Sequence, residues 1–159
     1  MENTVTEIIE GAAAPAFDMA TDGGGRVSLD GLKGQWTVLY FYPKADTPGC
    51  TNESKDFSAL KTAFGRVNAV VVGVSKDPVK KLDRFKDKHE LNVTLASDEG
   101  GDVCERYGVW AEKTLYGRKF MGIERTTFLI DPEGRVRRIW RKVKVPGHAQ
   151  AVLDAVNAT

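Results

Sequence analysis

Short continuous apolar runs alternate along the chain with longer stretches in which apolar residues return every three or four positions. Residues 36–42, Trp-Thr-Val-Leu-Tyr-Phe-Tyr, form an aromatic and β-branched run that stops at Pro43, the pattern of a strand buried on both faces. Residues 68–74, Asn-Ala-Val-Val-Val-Gly-Val, repeat it, and 93–96 predict a shorter strand. Between the first two runs, Cys50, Ser54, Phe57, Leu60 and Phe64 share one helical face, with Gly65 as the expected stop. Asp77 and Pro78 read as an N-cap and a proline at the first helical position, and Val79, Leu82 and Phe85 mark the inner face of that helix.

At the N-terminal end, Phe17-Asp-Met19 and Val27-Ser-Leu29 flank the turn Asp22-Gly-Gly-Gly25, which predicts a β-hairpin. At the other end, a helical turn near 101–107 precedes a stretch with Trp110, Tyr116 and Phe120 that has no clear period and is expected to be irregular. Residues 125–130 and 136–143 flank Asp131-Pro-Glu-Gly134 as a second hairpin, and 148–156 close the chain with an amphipathic helix. This order predicts one α/β domain over 1–159, a central mixed β-sheet flanked by helices with an N-terminal β-hairpin.

The 159 residues are 42% hydrophobic and 9% aromatic, enough for a core that needs no disulfide staples. Twenty-three Lys and Arg against 22 Asp and Glu leave a net charge of +1, which argues against nucleic-acid or anionic-membrane partners. The basic cluster Arg135, Arg137, Arg138, Arg141, Lys142 and Lys144 surrounds Val136, Ile139 and Trp140, as on a solvated or edge strand guarded against pairing. No apolar run reaches the length of a bilayer span, and Met1-Glu-Asn-Thr-Val-Thr-Glu7 lacks a signal pattern, so the expected compartment is cytoplasmic. Cys50 and Cys104 are too few for a disulfide scaffold or a thiolate metal site, and His89 and His148 have no ligand spacing, so neither metal nor cofactor is expected.

The chemistry points to residues 42–51, Tyr-Pro-Lys-Ala-Asp-Thr-Pro-Gly-Cys-Thr, which leave a buried strand and enter a helix. Cys50 falls in the first helical turn, where unpaired N–H groups and the positive dipole end favour a thiolate. Its phase with Phe57 and Phe64 turns the sulfur toward the protein. No second sulfur follows in a Cys-x-x-Cys pattern, so single-thiol chemistry remains. Ionisation alone is a limited aid: lowering a thiol from about 8.5 to ~6 raises its thiolate fraction about thirtyfold at pH 7. Nucleophilicity falls along the same path, so hydrogen-bond donors around the reacting atoms must supply the rest.

Pro43, Thr47 and Cys50 reproduce the P-x-x-x-T-x-x-C motif of peroxiredoxins. The string 41–51, together with Tyr107-Gly-Val-Trp110, Lys113-x-x-Tyr116-Gly117 and the segment 122–131, resembles the bacterioferritin-comigratory or PrxQ subgroup, from about Pro15 to the chain's end. The resemblance implies a thioredoxin-like fold and reduction of hydrogen peroxide and organic hydroperoxides. It makes Cys50 the peroxidatic thiolate and Arg125 the motif's arginine, with Pro43 shielding the sulfur. Thr47, the Cys50 N–H and Arg125 would then donate hydrogen bonds to the peroxide, with Glu53 positioning the arginine.

Many members of the subgroup carry a resolving cysteine five positions after the first; here that position is Lys55, and the helix 78–91 has none. Cys104 is the one candidate, yet its phase with Val103 and Tyr107 reads as packing. The expectation is a one-cysteine cycle completed by an external reductant: thioredoxin, glutaredoxin or a small thiol. A monomer or weak homodimer is expected. A non-enzymatic redox sensor or thioredoxin-like binding module is the alternative, and a thiol hydrolase would need His89 or His148 beside Cys50.

Overall fold

A computed structural model describes residues 8–159; the acidic start of the chain, 1–7, lies outside them. The N-terminal hairpin forms from β1 (Asp18–Thr21) and β2 (Arg26–Ser28), joined by a tight turn at Asp22–Gly24. Leu29, expected to extend the second strand, opens the one-turn helix α1 (Leu29–Leu32) because Ser28 Oγ caps it through the Gly31 amide. The core follows as β3 (Trp36–Phe41), α2 (Pro48–Ala59), α3 (Lys61–Arg66), β4 (Ala69–Ser75), α4 (Val79–His89) and β5 (Thr94–Ser97). The chain continues through α5 (Val103–Arg106), β6 (Trp110–Leu115), β7 (Arg118–Ile123), β8 (Thr126–Ile130), β9 (Val136–Trp140) and α6 (His148–Asn157).

Seven strands make one sheet in the order β2-β1-β5-β4-β3-β8-β9, with β3, β4 and β5 parallel and the outer pairs antiparallel. The mixed sheet of the sequence reading is thus present, and β9 with its arginines lies at an edge. Alternation along β3 divides the core. Val38, Tyr40 and Tyr42 pack with Cys50, Phe57 and Phe64 under α2 and α6. Leu39 and Phe41 face the opposite layer, with Cys104, Tyr107 and Phe128. Among the described residues no helix is long and apolar enough to cross a membrane.

Four expectations need correction. The helix expected over 50–64 breaks at Leu60 (φ −100°, ψ 6°), and the following α3 runs through Gly65 rather than stopping there. The strand expected to reach Val143 ends at Trp140. Pro78, in extended geometry (φ −68°, ψ 156°), is the N-cap of α4, so Asp77 lies before the helix and uses its carboxylate elsewhere. The stretch after Val109, expected to be irregular, is a separate antiparallel ribbon, β6–β7. Its two-residue turn places Tyr116 and Gly117 at φ 52° and 77°, both left-handed, which matches the twist of a tight hairpin.

Candidate active site

The site forms where β3 ends. After Tyr42 the chain turns through Pro43 to Thr47 and enters α2 with Pro48 at its first position, where a missing N–H costs nothing. Two anchors hold this loop. Asp77 Oδ2 accepts hydrogen bonds from the Ala45 amide (2.7 Å) and Ser75 Oγ (2.8 Å), tying the loop to the end of β4. Asp46, with a left-handed backbone (φ 65°), pairs its carboxylate with Lys88 (2.9 Å) and His89 (2.7 Å) at the end of α4. These two contacts hold the Asp46 carboxyl below the usual aspartate range.

Cys50 is 1% exposed and faces the core, as its helical phase requires. Thr47 is the N-cap of α2 but makes no side-chain cap; its Oγ1 donates instead to the Lys44 carbonyl at 2.8 Å. The first amides of the helix, that of Cys50 included, therefore keep their donor capacity, while the free capacity of Thr47 Oγ1 is as an acceptor. This corrects the expectation that Thr47 donates to a bound molecule.

Arg125 lies just before β8 and reaches across to α2. Its Nη2 stands 3.4 Å from Cys50 Sγ and its Nη1 donates to Glu53 Oε1 at 2.7 Å. Gly49 gives the guanidinium its room: a Cβ there would sit 3.2 Å from Nη2. Glu53 is 1% exposed, and burial pushes its carboxyl up to about 7 against the pull of Arg125. Pro43 is half-buried beside the loop. The structure thus brings Thr47, Cys50, Glu53 and Arg125 to one end of α2.

Cys104 is not among them. It is fully buried in the opposite layer of the core, so the sheet lies between the two sulfurs, and both thiols are free. Burial first, and then the Asp98 carboxylate, hold its thiol far above the ordinary range. The histidines are engaged elsewhere: His89 on Asp46, and His148 through Nε2 on Thr127 Oγ1 at 2.8 Å. Neither is hydrogen-bonded to Cys50, which leaves the hydrolase alternative without a base. Among the described residues no cluster of His, Cys, Asp or Glu could hold a metal ion.

Three supporting groups escaped the sequence reading. Tyr40, fully buried on β3, shares a 2.8 Å hydrogen bond with Ser54 Oγ one turn after Cys50, fixing the rotation of α2. Asp77 carries the loop anchor described above. Lys113 projects from the β6–β7 ribbon, and burial together with neighbouring Arg125 holds its ammonium below the ordinary lysine value. Its place in the Lys113-x-x-Tyr116-Gly117 string, one of those that carry the subgroup resemblance, was the sequence signal for it.

Comparison with known proteins bears on the family and the fold. A model of the AhpC/TSA family matches residues 11–139. A putative peroxiredoxin Bcp of Coxiella burnetii is 50% identical over 143 residues, covering 90% of this chain and 95% of that one. Peroxiredoxin Bcp of Xanthomonas campestris is 45% identical over 156 residues, covering 97% and 98% respectively. Among solved structures, a cysteine-to-serine variant of Xylella fastidiosa PrxQ superposes with a TM-score of 0.91 at 39% identity, over 96% of this chain and 98% of that one. The bacterioferritin comigratory protein of Xanthomonas campestris, studied for its alkyl peroxide reduction activity, gives 0.85 at 46% identity, over 89% and 90%.

Proposed function

The chain belongs to the AhpC/TSA family as a peroxiredoxin of the bacterioferritin-comigratory kind, a thiol-dependent peroxidase, and from that premise we propose how its residues divide the work. Cys50 is the nucleophile. Every hydroperoxide carries an O–H on the oxygen to be attacked; Thr47 Oγ1 accepts from it, while the Cys50 amide and Arg125 Nη2 donate to the oxygens. The Cys50 thiolate attacks the hydroxyl oxygen in line; the S–O bond forms as the O–O bond breaks. The sulfur is oxidised to sulfenic acid, and the second oxygen leaves with the bonding pair to become alcohol or water on protonation. Pro43 shields the sulfenic acid from solvent. Glu53 holds Arg125 in place through the 2.7 Å hydrogen bond that its Oε1 accepts from Nη1.

The observation that carries this reading is the 3.4 Å approach of Arg125 Nη2 to Cys50 Sγ in the first turn of α2. The substrates are hydrogen peroxide and organic hydroperoxides. The sulfenic acid is then attacked by an external thiol, releasing water and forming a mixed disulfide, and a second thiol releases Cys50. Thioredoxin, glutaredoxin or a small thiol fills that role, since Cys104 lies in the other core layer.

Stopped-flow mixing with hydrogen peroxide, followed by intact-mass analysis, tests the assignment. Cys50→Ser should abolish the fast phase, and Thr47→Val should lower it by about 100-fold with the fold intact. Wild type with one equivalent should gain one oxygen at Cys50. A stoichiometric Cys50–Cys104 disulfide on peptide mapping would replace the external-thiol step, and fast turnover by Cys50→Ser would remove the mechanism.

A further inference from the structure

One half-buried cation serves two buried acids here. Arg125 contacts Glu53 through Nη1 and Cys50 through Nη2, both acids are 1% exposed, and Glu53 Oε2 has no hydrogen-bond partner. A single guanidinium can balance one buried negative charge at modest cost; a second anion buried beside it would be poorly compensated. Among the described residues no other cation is set against Glu53. Asp56 on the same helix is another acid, and Tyr40 and Tyr42 from β3 are neutral, their hydroxyls held above the ordinary tyrosine range by burial. Lys113 from β6 acts on Arg125 and on Cys50, and the buried His148 of α6 acts on Arg125; the thiolate thus has a second cation near it, and the carboxyl has Arg125 alone.

We propose that Glu53 carries a proton while Cys50 is a thiolate and gives that proton up as the sulfur is oxidised, so that one negative charge passes from sulfur to carboxylate across Arg125. The inference rests on the peroxidase reading above. The step closes in atoms and charge. Before reaction the pocket holds a carboxylic acid, a guanidinium and a thiolate. The sulfur keeps the hydroxyl of the hydroperoxide, two electrons pass from sulfur to the O–O bond, the departing alkoxide takes a proton from water, and Glu53 releases its own to solvent, so that no net proton is taken up. Afterwards the pocket holds a carboxylate, a guanidinium and a neutral sulfenic acid, again with one anion beside Arg125. Glu53 is therefore a positioning residue, acting through Arg125. A carboxyl already raised to about 7 is placed for such a change, and a thiolate on the same cation pushes it higher still.

Infrared difference spectroscopy on the full chain at pH about 8, before and after one equivalent of hydrogen peroxide, reads this directly. Wild type should lose one protonated-carboxyl C=O band per sulfur oxidised, and Glu53→Gln should show no such loss. In stopped flow with a pH indicator, wild type should take up close to no proton per peroxide, against about one for Glu53→Gln. Hydroperoxide consumption with an unchanged carboxyl band, or equal proton uptake in both proteins, overturns this inference alone. The wild-type spectrum needs no variant to fold. Absence of consumption by wild type would remove the peroxidase reading and this inference with it.

Discussion

At position 49 the site depends on a missing side chain. Gly49 lies in the first turn of α2, its φ is not in the left-handed region, and an alanine there suits helix better than glycine by about 1 kcal/mol. Its Cβ, however, would stand 3.2 Å from Arg125 Nη2, and the guanidinium would have to give way. Gly49→Ala should therefore keep or raise the melting temperature while slowing the reaction with peroxide about tenfold, because Arg125 moves off the sulfur. Thermal unfolding and stopped-flow rates on the same sample check it; an unchanged rate would mean that the guanidinium's position does not limit the chemistry. At this scale the sequence was read well for Cys50, whose helical phase alone turned it inward. It was read wrongly for the sense of the Thr47 hydrogen bond. That sense depends on a carbonyl three residues back, Lys44, whose direction follows from the loop's path and not from residue types.

Between elements, the contact that sets α2 on the sheet is Tyr40, whose ring lies over Gly73 on the neighbouring strand β4. A Cβ at Gly73 would approach Tyr40 Cζ to 2.5 Å, so the ring must move, and with it the hydroxyl that holds Ser54. Gly73→Ala should cost about 1–3 kcal/mol by overpacking and also lower the peroxide rate, since α2 carries Cys50. Urea unfolding and stopped flow distinguish this from a purely local loss; a stability change with full activity would separate Tyr40 from the site. Elements buried on both faces, β3 and β4, were legible because their apolar runs are continuous. The β6–β7 ribbon was not: most of it is exposed, with Tyr116 at 95%, so no alternation between buried and exposed faces marks its strands. The break at Leu60 was hidden for the opposite reason, since Phe64 keeps its contact with Phe57 across the kink and the apolar period runs on.

For the molecule as a whole, two buried groups should set opposite responses to acid. Burial raises Glu53 from 4.5 to about 7, so between those values the native state binds a proton that the unfolded chain does not, and stability falls as pH rises. Burial and the charge of Arg125 lower His148 from 6.5 to about 4, so in that range the unfolded chain binds the extra proton and stability rises with pH. The two windows overlap between pH 4.5 and 6.5, where the slopes oppose one another. Asp46, held below 3.8 by His89 and Lys88, adds stability present above the ordinary aspartate value and lost only at still lower pH. Melting temperature in wild type should accordingly vary little across the overlap. Glu53→Gln removes one arm and should expose a stability that drops by about 1 kcal/mol for each pH unit of acidification. His148→Gln removes the other and should reverse the sign of that slope. Parallel pH profiles for the three proteins would show that neither group changes its protonation on folding, and that the charge balance around Arg125 is set by some other residue.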